Sequence, residues 1–273
     1  IVMKSVILIL FTLQNLSRVQ SVDLENSIRI GILSLQFKAS ERKLLNNFFE
    51  QTGVDPLELS KISGAYAEFV KNSGAIPVAI PITENDEIIF EYMNQLDGVF
   101  LTGGSPKFLH KENDIRPLST VHILPNPNEL YFSKIRKVID MAIQINKTRY
   151  FPLFAICLGF ESLLLHFSNF DLPFRMINKN NVSDSITIVP SHSKFFDFVS
   201  SQSPINHLEA EVQFNNGHGV TLKDFLEDKR LHSEFIVPVT YFTPFIEDTL
   251  VGAIEHRKLP IFGVQFHPEK VLY

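Results

Sequence analysis

The sequence predicts an α/β fold with a mostly parallel central sheet, and three observations lead there. Apolar runs at 27–33, 75–80, 98–101 and 150–156 read as strands, and the segments between them read as helices long enough to return the chain to the same edge. After Phe167 the pattern changes to strands separated by short loops, which predicts an antiparallel extension of the sheet and a strand-rich C-terminal half. The third observation is the run Tyr150–Ile156, which ends in Cys157, the only cysteine. It passes at once into Leu158-Gly159 and a leucine-rich helical pattern: a strand–turn–helix with a nucleophile type at its apex.

Taken in order, Ser27–Leu33 is the first strand of the mature protein, with alternating Ile and Gly. Residues 36–59 are polar and charged with weak helical spacing and read as an insertion carrying its own short helix. Ser63–Ser73 has helical spacing through Ala65, Tyr66, Phe69 and Val70; Gly74 stops it, and Ala75–Ile80 is a strand. Glu84–Gln95 is an amphipathic helix, and Gly98–Leu101 a strand ending in Thr102-Gly103-Gly104-Ser105. Residues 106–127, with Pro, Asn and His, read as loop. The long helix Glu129–Asn146 then delivers the chain to the Cys157 strand. Further strands are read at 185–189, 208–214, 235–242, 250–255 and 261–265. No repeat, low-complexity tract or linker divides the chain, so residues 27–273 form one domain.

A length of 273 residues, 45% hydrophobic and 20% charged, allows a substantial core. A net charge of −5 with no basic cluster leaves no footprint for a polyanion and excludes nucleic acid as the expected partner. With 25 Phe and no Trp, the aromatic content is a compositional bias and not a recognition surface. At the N-terminus, one Lys after Met3 precedes the apolar run Val6–Leu13, and a polar segment follows to Ser21. That is the form of a secretory signal peptide over residues 1–21, started at Met3, and its apolar core is too short to span a bilayer. The mature protein is therefore expected outside membranes, in the secretory pathway, extracellular or in a lysosome or vacuole. A single cysteine rules out an internal disulfide and leaves a free thiol to explain. Asn146-Lys-Thr148 and Asn181-Val-Ser183 have the form of glycosylation acceptors.

Three pieces carry chemistry. A cysteine is by itself most often a small buried hydrophobe. At a strand–helix turn, however, the helix N-terminus is expected to lower the pKa of the Cys157 thiol. The second piece is Pro260–Lys270, a buried strand ending in His267-Pro-Glu269. A His there serves as base for the thiol and acid for the leaving amine, and the carboxylate two residues on holds the other ring nitrogen. The third is Gly103-Gly104 at another strand end, where backbone N–H groups can approach a developing oxyanion.

In this order the three resemble a class I glutamine amidotransferase domain, and the finer text resembles the gamma-glutamyl hydrolase family of cysteine peptidases. The matching passages are Ile30–Leu33, Ser63–Ala75, Leu96–Ser105, Phe151–Glu161 and Leu259–Lys270. The resemblance implies a flavodoxin-like three-layer sandwich. It implies Cys157 as nucleophile, His267 as acid–base partner and Glu269 as third member of the triad. The N–H groups of Gly104 and Leu158 would form the oxyanion hole. Glu161 would meet the substrate's free α-amino group, with His218 and Gly103 also near the substrate.

The implied reaction is thiolate hydrolysis of γ-linked glutamyl amides in folate poly-γ-glutamate, a small-molecule substrate, with no metal and no cofactor. Three positions depart from the family's pattern: Lys61 replaces an aromatic residue, Thr102 replaces a Pro, and no Lys-Trp follows His218. Family members continue beyond the His motif, so the chain is read as C-terminally truncated. A homodimer is compatible with the sequence. Two other readings remain: a glutaminase domain feeding ammonia to a synthetase, and a catalytically silent secreted binding protein on the same fold. The signal peptide weighs against the first, and the intact Cys157, His267 and Glu269 against the second.

Overall fold

Strand residues alternate between two faces, and here both faces of the central strands are apolar, as in a sheet covered on each side by helices. The computed structural model describes residues 27–37, 39–44, 50–51, 60–104, 108–109, 122–125, 130–189, 193–194 and 209–272. The signal-peptide segment lies outside them. The chain opens with β1 (Arg29–Leu33), β2 (Leu35–Gln36), α1 (Ala39–Leu44), β3 (Ser60–Lys61) and α2 (Gly64–Asn72). Next come β4 (Ile76–Ile80), α3 (Asp86–Asn94), β5 (Gly98–Leu101), β6 (Phe108–Leu109) and β7 (His122–Pro125). Then follow α4 (Leu130–Ile145), β8 (Leu153–Ile156), α5 (Leu158–Phe167), β9 (Phe174–Ile188) and β10 (Glu209–Gly219). The last elements are α6 (Leu222–Glu227), α7 (Lys229–Glu234), β11 (Phe235–Thr243), β12 (Asp248–His256), β13 (Ile261–Val264) and a 3₁₀ turn at Pro268–Leu272.

The main sheet has 11 strands in the order β4-β1-β5-β8-β13-β12-β11-β9-β7-β6, with β10 paired to β9. The first five are mutually parallel. Every later pairing is antiparallel, which is the expected extension. Val99, Leu101, Leu153 and Ala155 point into a core closed by α3, α4 and α5. Phe100, Phe154 and Ile156 point into a second core with Tyr66, Phe69 and Val70 of α2. The three layers are therefore helices, sheet, and α2 together with the folded-over β9–β10 arm.

Two segments differ from the sequence reading. The stretch 106–127 holds β6 and β7, which pair with each other and join β7 to β9, so part of the expected loop is sheet edge. The strand-rich half also carries α6 and α7, each opened by a side-chain cap: Thr221 accepts from the Asp224 N–H and Asp228 from those of Arg230 and Leu231. The insertion after β1 does contain a short helix, α1, beside the small β2–β3 pair.

Asn146 has a structural task that its acceptor triplet hid. Its Nδ2 donates to the carbonyls of Ala142 at 2.9 Å and Phe151 at 2.6 Å, and its Oδ1 accepts from the Phe151 N–H at 3.0 Å. A glycan on Nδ2 would cost at least one of these bonds, whereas Asn181 is exposed. The Asn146 amide clamps the end of α4 to the start of the strand that carries Cys157. Asn146→Ala is expected to cost about 1–3 kcal/mol, the penalty for unpaired buried polar groups. Urea unfolding measures it, and a loss no larger than that of an ordinary surface substitution would show the clamp to be idle.

Candidate active site

In open α/β sheets, ligands bind outside the carboxyl ends of the parallel strands. Here β5, β8 and β13 are neighbours, with Leu101 opposite Ala155 and Ile156 opposite Val264. Their carboxyl ends run into Thr102-Gly103-Gly104, Cys157 and Gln265-Phe266-His267 respectively. Strand order alone thus gathers three segments more than 160 residues apart in sequence at their ends.

Cys157 sits at the apex of the β8–α5 turn with φ 52° and ψ −107°, a region that costs an L-residue on the order of 1–3 kcal/mol. Hydrogen bonds to both neighbouring strands hold it there. The Cys157 N–H donates to the Val264 carbonyl at 2.9 Å, and the Gly159 N–H to the Thr102 carbonyl at 3.2 Å. A Cβ at Gly159 would lie 2.5 Å from the Leu101 carbonyl oxygen, so only glycine lets α5 start this close to β5.

Gly103 is the hub of the pocket. A Cβ built on it would stand 2.5 Å from the Tyr66 hydroxyl, 3.0 Å from His267 Cε1 and 3.3 Å from Cys157 Cβ. The thiol-bearing residue, the imidazole and a tyrosine therefore surround one backbone position. Gly104, next along, packs against Leu158 and Leu35. His267 Nδ1 is 2.6 Å from Glu269 Oε1. With a carboxylate as acceptor that nitrogen carries the proton, leaving Nε2 as the basic one. Nε2 and Glu269 Oε2 are buried without a hydrogen-bond partner among the described residues. The His267 N–H donates to the Gln213 carbonyl of β10 at 2.7 Å, so the arm also braces the histidine.

The expected depression of the thiol pKa is overturned. Burial pushes the Cys157 thiol up, and the charges of Glu161 and Glu269 push it the same way. The Leu158 N–H at the sulfur works against them and is outweighed. The resting site therefore holds a neutral thiol, and the proton must be taken by the histidine.

Glu161, one turn into α5, is 3% exposed and accepts from Gln265 Nε2 at 3.1 Å. Its carboxyl is pushed up to about 8 by burial, against the pull of the Gln265 amide. His218 is in β10, half-buried, opposite Met176, and its carbonyl accepts from Asn216 Nδ2 at 3.2 Å.

Two residues that sequence reasoning did not single out belong here. The Tyr66 hydroxyl accepts from the Gly103 N–H at 2.9 Å, and burial reinforced by the charge of Glu269 keeps it protonated. Gln265 is fully buried, and its Oε1 has no hydrogen-bond partner among the described residues. The available signals were a lone hydroxyl on the apolar face of α2 and a lone amide between a buried strand and His267. Among the described residues no group of three His, Cys, Asp or Glu side chains is arranged to hold a metal ion.

A family model, peptidase C26, matches residues 45–269. The chain belongs to the peptidase C26 family. It is similar to gamma-glutamyl hydrolase 2 of Arabidopsis thaliana, 26% identical over 246 residues that cover 88% of this chain and 62% of that protein. It is also similar to gamma-glutamyl hydrolase of Homo sapiens, 27% identical over 221 residues, 78% of this chain and 61% of the relative. The chain thus spans about six tenths of the length of these two relatives. Among solved structures, the Trypanosoma brucei CTPS glutaminase domain with bound acivicin superposes with a TM-score of 0.54. It is 15% identical and covers 89% of this chain and 87% of its own. That likeness establishes the fold as glutamine amidotransferase-like, as the strand-end motifs had implied.

Two outcomes follow from the peptidase C26 site. Tyr66→Phe leaves the Gly103 N–H buried and unpaired, and is expected to cost about 1–3 kcal/mol in chemical denaturation; an unchanged midpoint would show that the hydroxyl is not needed there. Glu161 gives a pH signature. Below its ordinary value of 4.5, folded and unfolded chains both hold the proton and nothing is lost. As pH rises from 4.5 toward 8, only the folded state keeps it, so stability falls, at most about 1.4 kcal/mol per pH unit. Glu161→Gln removes that slope, so urea midpoints taken across this window should diverge; parallel curves for the two proteins refute a buried, protonated Glu161.

Proposed function

We propose that this chain hydrolyses γ-glutamyl amide bonds, with folate poly-γ-glutamate as substrate, through a thioester on Cys157. The observation that carries the reading is the convergence of Cys157, the His267–Glu269 pair and Gly103 at one point above the sheet. Membership of the peptidase C26 family and similarity to gamma-glutamyl hydrolases support it.

The steps follow from the protonation states. His267 Nε2 takes the Cys157 proton as the sulfur attacks the side-chain carbonyl carbon of the γ-glutamyl unit. The C=O bond opens to an oxyanion, which the N–H groups of Gly104 and Leu158 receive. The Gly103 N–H is already held by Tyr66 and is not a third donor. Glu269 stabilises the imidazolium through Nδ1–H, and Nε2–H then protonates the leaving amine as the C–N bond breaks. Water, deprotonated by His267, attacks the thioester carbonyl, and the departing sulfur recovers its proton. The products are the folate chain, shortened and ending in a new γ-carboxyl, and the released glutamate or glutamyl amine. In folate poly-γ-glutamate the α-nitrogen of the γ-glutamyl unit is an amide N–H, and the Glu161 carboxyl accepts it without having to ionise.

We place the mature protein in the secretory pathway, extracellular or in a lysosome or vacuole, on the strength of residues 1–21; among the described residues no helix is long and apolar enough to cross a membrane. The decisive assay is release of glutamate from folate poly-γ-glutamate. Cys157→Ala is expected to lower kcat/KM by roughly 10⁴-fold or more, and His267→Asn by roughly 10³–10⁴-fold. An active Cys157→Ala protein sinks the mechanism.

A further inference from the structure

The β9–β10 ladder breaks register twice, between Phe214 and Asn216 and again between Asn216 and His218. In both gaps β9 supplies the extra residue, and the first contains Asn181 at φ 54°. Bulges bend a strand and re-aim its side chains, and they recur beside active sites. The single pair left between the two is Lys179 with Asn216.

Both members of that pair are buried, Lys179 at 4% and Asn216 at 3% exposure. Lys179 Nζ lies 5.0 Å from the centroid of the Phe214 ring and 5.4 Å from that of Tyr241. These rings belong to the same core as Cys157, and Phe214 reaches Phe266, the neighbour of His267, at 6.3 Å. Asn216 and the Tyr241 hydroxyl are both buried here, with the Asn216 side chain as the hydroxyl's polar neighbour among the described residues. Lys179 itself is held by Asp184, whose side chain is 41% exposed. An ammonium is costly to bury, and here its only carboxylate partner among the described residues is the half-exposed Asp184.

The geometry points to Lys179 as the residue that reads the α-carboxylate of the γ-glutamyl unit, with the Tyr241 hydroxyl as its second donor. The assignment rests on the γ-glutamyl reading of the site. In that unit the α-carboxylate carbon lies four bonds from the side-chain carbonyl carbon, about 5 Å when extended. With the carbonyl at Cys157, the substrate's α-nitrogen then meets Glu161 on one side and its α-carboxylate meets Lys179 on the other. Asp184 is the competitor: it neutralises the ammonium in the resting protein and, being half-exposed, is the partner a substrate carboxylate displaces into water.

The test compares a γ-glutamyl anilide bearing a free α-carboxylate with its α-carboxamide counterpart. Lys179→Met, a near-isosteric change, is expected to raise KM for the carboxylate substrate roughly 10- to 100-fold, the loss of one charge-assisted hydrogen bond. It should leave kcat, and both constants for the carboxamide, nearly unchanged. Asp184→Asn moves the other way and lowers KM for the carboxylate substrate alone. Equal KM shifts for the two substrates, or a fall in kcat alone, overturn the assignment and mark Lys179 as structural. If Lys179→Met does not fold, Asp184→Asn decides: an unchanged KM overturns the assignment. A wild type that cleaves neither anilide nor folate poly-γ-glutamate overturns the γ-glutamyl reading, and Lys179 with it.

Discussion

Two backbone hydrogen bonds hold the nucleophile turn, one from Cys157 to β13 and one from Gly159 to β5. They fix a cysteine in a conformation that an L-residue avoids, and they do so only because β5, β8 and β13 are adjacent and parallel. The rest of the site is a consequence. β13 pinned beside β8 carries His267 toward the cysteine, and β5 pinned on the other side brings Gly103 and Gly104 under both. The buried core on each face keeps the three strand ends from moving independently.

That close packing also sets the electrostatics. Cys157, Glu161, His267 and Glu269 are each no more than 5% exposed. Desolvation disfavours every isolated charge, so the thiol and Glu161 both rest neutral and protonated. A site built this way does not store a thiolate. It stores an oriented base, His267, whose proton-bearing nitrogen is fixed by Glu269, and it generates charge only when a substrate arrives to share it. Around the pocket, polar atoms of Gln265 and His267 are buried without a partner among the described residues, at a cost that folding alone does not recover. A ligand with both charges and hydrogen-bonding groups offsets that cost.

The sequence by itself determined the strand–helix alternation, the nucleophile elbow and the distant His-Pro-Glu. These were legible because each rests on local chemistry: apolar period, glycine at a tight turn, a polar triplet ending a buried strand. The antiparallel extension was legible from strand spacing, and α1 from its weak periodicity. The two short helices after β10 and the β6–β7 edge were not: strands of two to four residues carry too little pattern to rise above a loop, and α6 and α7 sit among strands whose alternation dominates that half.

Tertiary structure decided what no local pattern encodes. It turned the helix N-terminus from a force lowering the thiol pKa into a minor one, since burial and two carboxylates act together on the sulfur. It gave Tyr66 the Gly103 N–H and made the Asn146 amide a clamp between α4 and β8. It also turned Lys179 inward through paired bulges. Each of these depends on which segments become neighbours and how much water they exclude. Residue order along the chain does not state either quantity; the sheet order β5-β8-β13, with a bulged arm folded beside it, does.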